Sequence, residues 1–193
     1  MCLYAIKHEN SEIAKIKYDW FGGAKSPTTS FCVTYKEKSG FLVDIVCEEE
    51  NPIARFSDDE DVFKDSCVEF FVNFYPRKDK RYLNFEINSK GAMLCMIGKT
   101  RSDRVFAREL VTVKPLAAAY IHDDRWEAHL TIPNEFIKQI YDSDKFESGD
   151  LLRGNFYKCG DETKSPHWGS WNTLGENPID FHDPDTFGCF VIN

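Results

Sequence analysis

The chain has 193 residues, of which 42% are hydrophobic and 15% aromatic, and its formal net charge is -8 at pH 7. This composition can supply a large apolar core and argues against a disordered chain, and the length suits one domain over residues 1–193. A nucleic acid or an anionic membrane is disfavoured as a partner, because binding to phosphate groups requires clustered lysine and arginine.

The cysteines and the first residues of the chain indicate in which cellular compartment the protein is expected. The 7 cysteines lie far apart and include no CxxC pair, so the sequence predicts neither a zinc ribbon nor a redox motif. An odd number of cysteines favours a reducing environment over a disulfide scaffold. No basic segment followed by an apolar stretch opens the chain. We therefore expect a cytoplasmic protein from the sequence as given, or an extracellular one if a signal peptide has been removed.

The first fifty residues predict three strands. Residues 12–20 are expected to form an edge strand that leads to a turn at Gly22 and Gly23. Residues 31–36 and 41–49 show strand-like patterns on either side of a turn signal at Ser39–Gly40. Two such runs separated by a short turn predict an antiparallel hairpin.

An acidic run, SDDED at residues 57–61, follows Asn51–Pro52. Runs of this kind usually form solvated loops, and this is the interpretation that we favour. Structural calcium is the alternative, because an oxygen-rich loop can chelate this ion. No other metal or cofactor is predicted.

Two alternating runs, at residues 67–75 and 82–88, form the centre of the predicted fold. Every second residue in each run is apolar, so the runs are expected to pair as a hairpin with one face in the core. The opposite face is unusually polar. Carboxylates and carboxamides interleaved with aromatic rings suit a polyhydroxylated ligand, whereas a merely solvated outer face is the alternative. The polar residues predicted to contact a ligand are Glu69, Asn84, Glu86 and Asn88.

The next segment continues the β pattern with one interruption. An apolar strand at residues 91–98 is followed by a charged segment at 99–109, which is expected to be partly helical, and by a strand at 110–113. Residues 120–132 predict two strands around a turn at Asp123–Asp124.

A helix is predicted to begin at Pro133, where apolar residues recur at helical spacing, and to cover an open end of the sheets. Residues 151–158 and 187–192 predict further strands, and a loop extends to Pro178 between them. Many short strands with little helix predict an all-β fold, a two-sheet antiparallel β-sandwich with one or two short helices.

Several segments, taken in order, resemble the family 9 carbohydrate-binding modules, and most closely the bacterial family 9-like branch. They are FKDSCVEFFVNF at 63–74, YLNFEIN at 82–88, GNFYKCGD at 154–161, SW at 170–171 and FHDPDTFG at 181–188. The resemblance runs from Phe31 to the C-terminus. It implies a DOMON-like sandwich of the jelly-roll or immunoglobulin-like type.

The resemblance also implies a non-catalytic, lectin-like module that clamps a neutral sugar, often the end of a chain, between two aromatic rings above a polar sheet face. Here the places of those rings hold Phe63 and Phe181, where better-studied members have tryptophan. Glu86 stands where some members carry a basic hydrogen-bond donor. A glycoside hydrolase that acts on the same glycan is the candidate protein partner.

Other residues of the C-terminal half are candidate ligand contacts, each with a structural alternative. An exposed indole suits sugar stacking, but Trp171 fits a core position equally well. Lys158 is expected to donate to a sugar hydroxyl or to pair with Asp161 at the pocket rim. The further candidates are His167, Trp168 and His182.

Two other functions remain open from the sequence. Glu69 and Glu86 could be the acid and base of a glycoside hydrolase, or each could be neutralised by a nearby arginine or lysine. The same sheet face could instead bind a protein partner.

Overall fold

The computed structural model describes residues 1–9, 11–20, 24–175 and 180–193. The predicted turn at Gly22–Gly23 and the predicted loop end at Pro178 lie outside these ranges. Within them the chain forms 14 strands and one α-helix, α1 (Asn134–Tyr141). The strands are β1 (Leu3–Ile6), β2 (Ala14–Lys15), β3 (Tyr18–Asp19), β4 (Thr28–Lys36), β5 (Gly40–Glu48), β6 (Cys67–Asn73), β7 (Tyr82–Asn88), β8 (Met93–Gly98), β9 (Val105–Phe106), β10 (Leu116–Ile121), β11 (Trp126–Pro133), β12 (Leu151–Cys159), β13 (Trp168–Ser170) and β14 (Gly188–Ile192).

The strands form two sheets. The larger has the order β1-β14-β12-β6-β7-β8-β9, with β13 paired to β12 and β3 paired to β13, and the smaller has the order β10-β11-β5-β4-β2. In the described ranges every strand pair is antiparallel except β1 with β14. The predicted two-sheet sandwich is therefore confirmed, with one parallel pair that the sequence did not indicate.

Both hairpins of the smaller sheet follow the predicted pattern. β4 and β5 pair in register from Thr28 opposite Glu48 to Lys36 opposite Gly40. Gly40 has φ +120°, and an added Cβ would collide with the Ile132 carbonyl, so only glycine fits this turn. β10 and β11 pair as the second hairpin around the predicted turn.

A column of phenylalanine rings holds the two sheets together. Phe31 of β4 stacks on Phe156 of β12 with a ring-centroid distance of 3.7 Å, and Phe156 stacks on Phe70 of β6 at 4.3 Å. All three side chains are buried, and rings in such contact gain energy beyond the area that they bury. The helix α1 adds Phe136, Ile137 and Ile140 to this core, as its spacing predicts.

Two local predictions were wrong, each because tertiary contacts override the local pattern, whereas a third was confirmed. Residues 110–113 form no strand; instead, the Gln139 side chain accepts a hydrogen bond from Thr112 N at 2.8 Å, and β10 begins after Pro115. The charged segment at 99–109 is partly helical, as predicted, because it forms β9 and then a 3-10 helix at Ala107–Glu109. The predicted strand at 12–20 is divided between the sheets, since β2 pairs with β4 and β3 pairs with β13.

The outer face of β6 and β7 is buried as well as the inner one. All seven residues of each strand are buried, so the alternative of a solvated outer face is wrong. A layer of loops covers this face and forms a second apolar cluster with it, to which Val62, Leu174, Phe181 and Phe187 contribute. A ligand could reach the polar residues of this face only through an opening in the loop layer.

Candidate functional site

A cleft of about 420 Å³ opens through the loop layer onto the outer face of the larger sheet. The structure brings together in it six residues that the sequence proposed as ligand contacts, from four separate segments. These are Phe63, Glu69, Glu86, Trp168, Phe181 and His182. Leu94, Arg101, Arg104, Cys159 and Asp161 complete the lining.

Glu69 and Glu86 form the floor of the cleft. They lie directly opposite each other on β6 and β7, and each side chain is about 97% buried, with exposed fractions of 3%. Glu86 accepts a hydrogen bond from Asn84 Nδ2 at 2.9 Å and lies 3.6 Å from Arg104 Nη1. The alternative in which a floor carboxylate pairs with a nearby arginine is therefore the one found for Glu86. Glu69 instead accepts from the Cys159 thiol, with Sγ to Oε1 at 2.9 Å.

Burial changes the protonation of both floor carboxyls. It raises the pKa of Glu69 well above the usual value, and the neighbouring Glu86 raises it further. Burial also raises the pKa of Glu86 to about 7, although Arg104 opposes this shift. Because the two carboxyls interact, they titrate as a pair, and burial favours the protonated form of both. A protonated carboxyl can donate as well as accept, which suits a ligand hydroxyl.

Aromatic rings form the walls of the cleft, and two of them are held in place by hydrogen bonds. Phe181 stacks on Tyr157 with centroids 4.1 Å apart, and Tyr157 Oη donates to the Phe181 carbonyl at 3.0 Å. The indole of Trp168 donates to Asp161 Oδ1 at 2.7 Å. Phe63 lies on a 3-10 turn, Val62–Lys64, just before β6 and is only partly buried. Rings fixed in this way lose little conformational entropy when a ligand binds.

Two arginines of the cleft were missed by the sequence analysis. Arg101 pairs with Asp180 at 2.9 Å, and Arg104 donates to Asn84 Oδ1 at 3.1 Å. Both come from the charged segment at 99–109. Its residues show no periodicity from which the side of the fold that these side chains face could be predicted. The only sequence feature that could have suggested a role for these arginines is the long charged segment that directly follows an apolar strand.

His182 lines the cleft as a neutral imidazole. Its Nδ1 lies 2.9 Å from Tyr82 Oη, and the side chain is buried. Burial, together with Arg104 and Arg101, lowers its pKa to about 3. A neutral ring can accept or donate one hydrogen bond without adding charge to the cleft.

Lys158 and His167 do not lie at the rim of the cleft as predicted. Lys158 is fully buried, and its Nζ is 3.2 Å from Glu49 Oε2 and 2.9 Å from His167 Nε2. The reason is the two-residue period of β12, in which Lys158 lies opposite the core residue Val68 while Cys159 faces the cleft. Both side chains therefore belong to a polar network inside the sandwich.

Trp171 and Asn88 also lie away from the cleft. Trp171 packs in the main core against Phe190, with centroids 4.9 Å apart, which is the core alternative considered for it. Asn88 Nδ2 donates to the Phe56 carbonyl at 2.9 Å and to Asp65 Oδ2 at 3.1 Å. Asn88 thus anchors the loop that precedes β6 rather than facing the opening.

The acidic run at 57–61 forms a loop, as predicted, and several of its carboxylates bind protein groups. Asp58 accepts from Met93 N at 2.8 Å, Asp59 pairs with Arg108 at 2.6 Å, and Asp61 pairs with Lys64 at 2.8 Å. Structural calcium in this loop stays a prediction. Over the described ranges, no helix has the length and apolar character needed to cross a membrane.

Comparisons with known proteins identify one matching family model and several solved structures with a similar fold. The model of Carbohydrate-binding family 9 matches residues 2–192, and no curated protein sequence matches the chain. A solved structure from Bacteroides uniformis, provisionally named a carbohydrate-binding protein, is 23% identical with a TM-score of 0.79, and the alignment covers 99% of each chain.

Two solved structures of a family 9 carbohydrate-binding module from Caldicellulosiruptor kristjanssonii are also similar. The complex with cellotriose is 9% identical with a TM-score of 0.69, over 99% of this chain and 93% of that one. The complex with glucose is 9% identical with a TM-score of 0.68, over 100% and 96%. At these identities the likeness shows a shared fold, whereas the family match extends over nearly the whole sequence. The chain belongs to carbohydrate-binding family 9.

Proposed function

We propose that the cleft binds a neutral sugar or the end of an oligosaccharide, held between aromatic rings above the floor of Glu69 and Glu86. The observation that carries this proposal is the meeting of Phe63, Phe181 and Trp168 around a polar floor, in a chain of a carbohydrate-binding family. The cleft volume falls within the range of small-ligand sites, about 300–1,000 Å³.

The chemistry of the lining suits a sugar ring. The apolar faces of the aromatic walls can stack on the C–H groups of a pyranose, while the floor and Arg104 offer acceptors and donors for its hydroxyls. A few rings and partly solvated hydrogen bonds supply about 4–8 kcal/mol, which corresponds to micromolar to millimolar dissociation constants. We therefore expect weak, reversible binding.

Binding is favoured over glycoside hydrolysis by the placement of the two carboxyls. A glycosidase places its acid and its base or nucleophile on either side of the bond that is cleaved. Glu69 and Glu86 lie opposite each other on one face of one sheet, so both would approach a sugar from the same side. We propose that any hydrolysis of the bound glycan is carried out by a separate glycoside hydrolase.

Calorimetric titration with a panel of sugars tests the proposal. Glucose and cellotriose come first, because they are the ligands of the similar Caldicellulosiruptor module, followed by xylose, galactose and their oligomers. We expect a saturable signal with at least one of them, and a loss of affinity in Phe63→Ala. Tyr120→Ala is the matched control, because Tyr120 is an exposed ring on the smaller sheet. A panel without any response would favour a protein partner instead.

A further inference from the structure

Two thiols and one carboxylate meet beneath the cleft. Cys67 Sγ, Cys159 Sγ and a carboxylate oxygen of Glu69 all lie within 4.8 Å of one another, and they form the one such group of potential metal ligands found in the described ranges. Cys67 and Cys159 are direct neighbours across β6 and β12, and Glu69 lies two residues beyond Cys67 on the same face. All three side chains are at least about 97% buried, with exposed fractions of 0%, 1% and 3%.

The environment of the buried Glu69 carboxylate is a second observation, independent of the first, that points to a bound cation. Its carboxylate is buried, and among the described residues no cationic side chain forms an ion pair with it, in contrast to Glu86 beside Arg104. The Cys159 thiol is a weak donor and does not compensate a buried negative charge. Such a carboxyl requires either a proton or a cation, and the two sulfurs lie where a cation would bind.

We propose that Cys67, Cys159 and Glu69 form a binding site for a thiophilic divalent metal ion, with Zn²⁺ as the preferred occupant. Thiolate ligands select zinc and related ions, whereas calcium and magnesium prefer oxygen ligands alone. When the ion binds, the two thiols lose their protons to solvent and Glu69 binds as a carboxylate. The resulting three negative charges exceed the charge of the ion by one, and the positive charge of Arg104, which acts on Glu69 as well as on Glu86, offsets part of this surplus.

The geometry is compatible with tetrahedral coordination after a small shift. Zinc–sulfur and zinc–oxygen bonds of about 2.3 and 2.0 Å place sulfur and oxygen about 3.5 Å apart in a tetrahedron. Cys159 Sγ and Glu69 Oε1 are 2.9 Å apart, so side-chain rotation that moves them apart by several tenths of an ångström gives the spacing that the ion requires. Cys159 and Glu69 also line the cleft, so water or a ligand hydroxyl in the cleft can supply the fourth ligand.

Cobalt(II) is the probe, because tetrahedral thiolate coordination gives intense visible bands and a sulfur-to-cobalt charge-transfer band. The full chain is reduced with a phosphine, freed of metal with a chelator and titrated with Co²⁺, and Zn²⁺, Ca²⁺ or Mg²⁺ is then added. We expect one Co²⁺ per chain, displaced by Zn²⁺ and not by Ca²⁺ or Mg²⁺. No sugar is present, so a failure here leaves the proposed carbohydrate binding untouched.

Variants identify the ligands. Cys67→Ala and Cys159→Ala should each lower the charge-transfer band by about half or more, because each removes one of two thiolate ligands, and Glu69→Gln should weaken Co²⁺ binding by about tenfold or more while keeping that band. The controls are Cys95→Ala, a buried cysteine on the core side, and Cys189→Ala, a partly exposed one. If a ligand variant does not fold, X-ray absorption on the wild type must still show two sulfur neighbours. Absence of Co²⁺ binding, or a band of unchanged intensity in Cys67→Ala or Cys159→Ala, overturns the proposal.

Discussion

The buried carboxyl of Glu86 should make stability depend on pH in a direction opposite to that of ordinary acidic residues. Its pKa is about 7 in the folded protein, compared with an ordinary value of 4.5, because burial disfavours the charged form. Between these two values the folded state holds the proton more tightly than the unfolded state does. The stabilisation from Glu86 is therefore fully present below pH 4.5 and is lost as the pH rises to 7.

The size of the effect follows from the shift. A rise in the pKa of Glu86 from 4.5 to about 7, at about 1.4 kcal/mol per pKa unit, gives a loss of about 3–4 kcal/mol in unfolding free energy across this window. His182 acts in the opposite direction, since its pKa is lowered to about 3 and its contribution is lost as the pH falls. A comparison with Glu86→Gln removes the His182 contribution, because both proteins retain that residue.

The assay is urea unfolding of the wild type and of Glu86→Gln at several pH values from 4 to 8. We expect the wild type to lose stability relative to the variant as the pH rises, with most of the change between pH 4.5 and 7. Glu69→Gln should show a change of the same sign, because burial also raises the pKa of Glu69. A constant difference between wild type and variant, or a wild type that gains relative stability with pH, would refute the reasoning.

Three further predictions concern rings and charges. Phe181→Ala should weaken sugar binding by about 1 kcal/mol or more in the calorimetric titration. It should also lower the stability of the fold, because the ring stacks on Tyr157. Phe181→Trp should preserve or tighten binding in the same titration. Trp171→Ala should lower the free energy of unfolding by about 3–5 kcal/mol, as for a large core truncation, and a smaller loss in urea titration would contradict its core position. Lys158→Met should lower the free energy of unfolding by about 3 kcal/mol because it leaves the largely buried Glu49 without its cation. The double variant with Glu49→Gln should recover part of this loss in the same assay.

The sequence predicted those parts of the fold that strand periodicity determines. The alternation in β6 and β7 assigned the inner and outer faces correctly, and the outer face does contain the floor carboxylates of the cleft. Periodicity shows which side chains of a strand share a face, but it does not show what covers that face. It could therefore not predict that loops bury the outer face of β6 and β7. The same limit explains Trp171, whose loop position carries no pattern that separates a core ring from an exposed one.

Other parts of the site depend on contacts between distant segments. Phe63 and Phe181 were identified through the family resemblance, and their meeting in one cleft depends on how their loops fold over the sheet. Arg101 and Arg104 lie in a loop without periodicity. Lys158 could have been assigned correctly from the alternation of β12, since it shares a face with Phe156 and not with Cys159; the error was to treat a lysine as exposed.

The most direct test of carbohydrate binding in the cleft is an NMR titration that follows the indole N–H signals of the four tryptophans. Trp168 lines the cleft, whereas Trp126 and Trp171 are buried in the main core. Addition of cellotriose or another sugar of the panel should shift the Trp168 signal in a saturable manner and leave the signals of Trp126 and Trp171 in place. If a sugar binds by calorimetry without moving the Trp168 signal, or if no sugar moves it, the proposed binding cleft is contradicted.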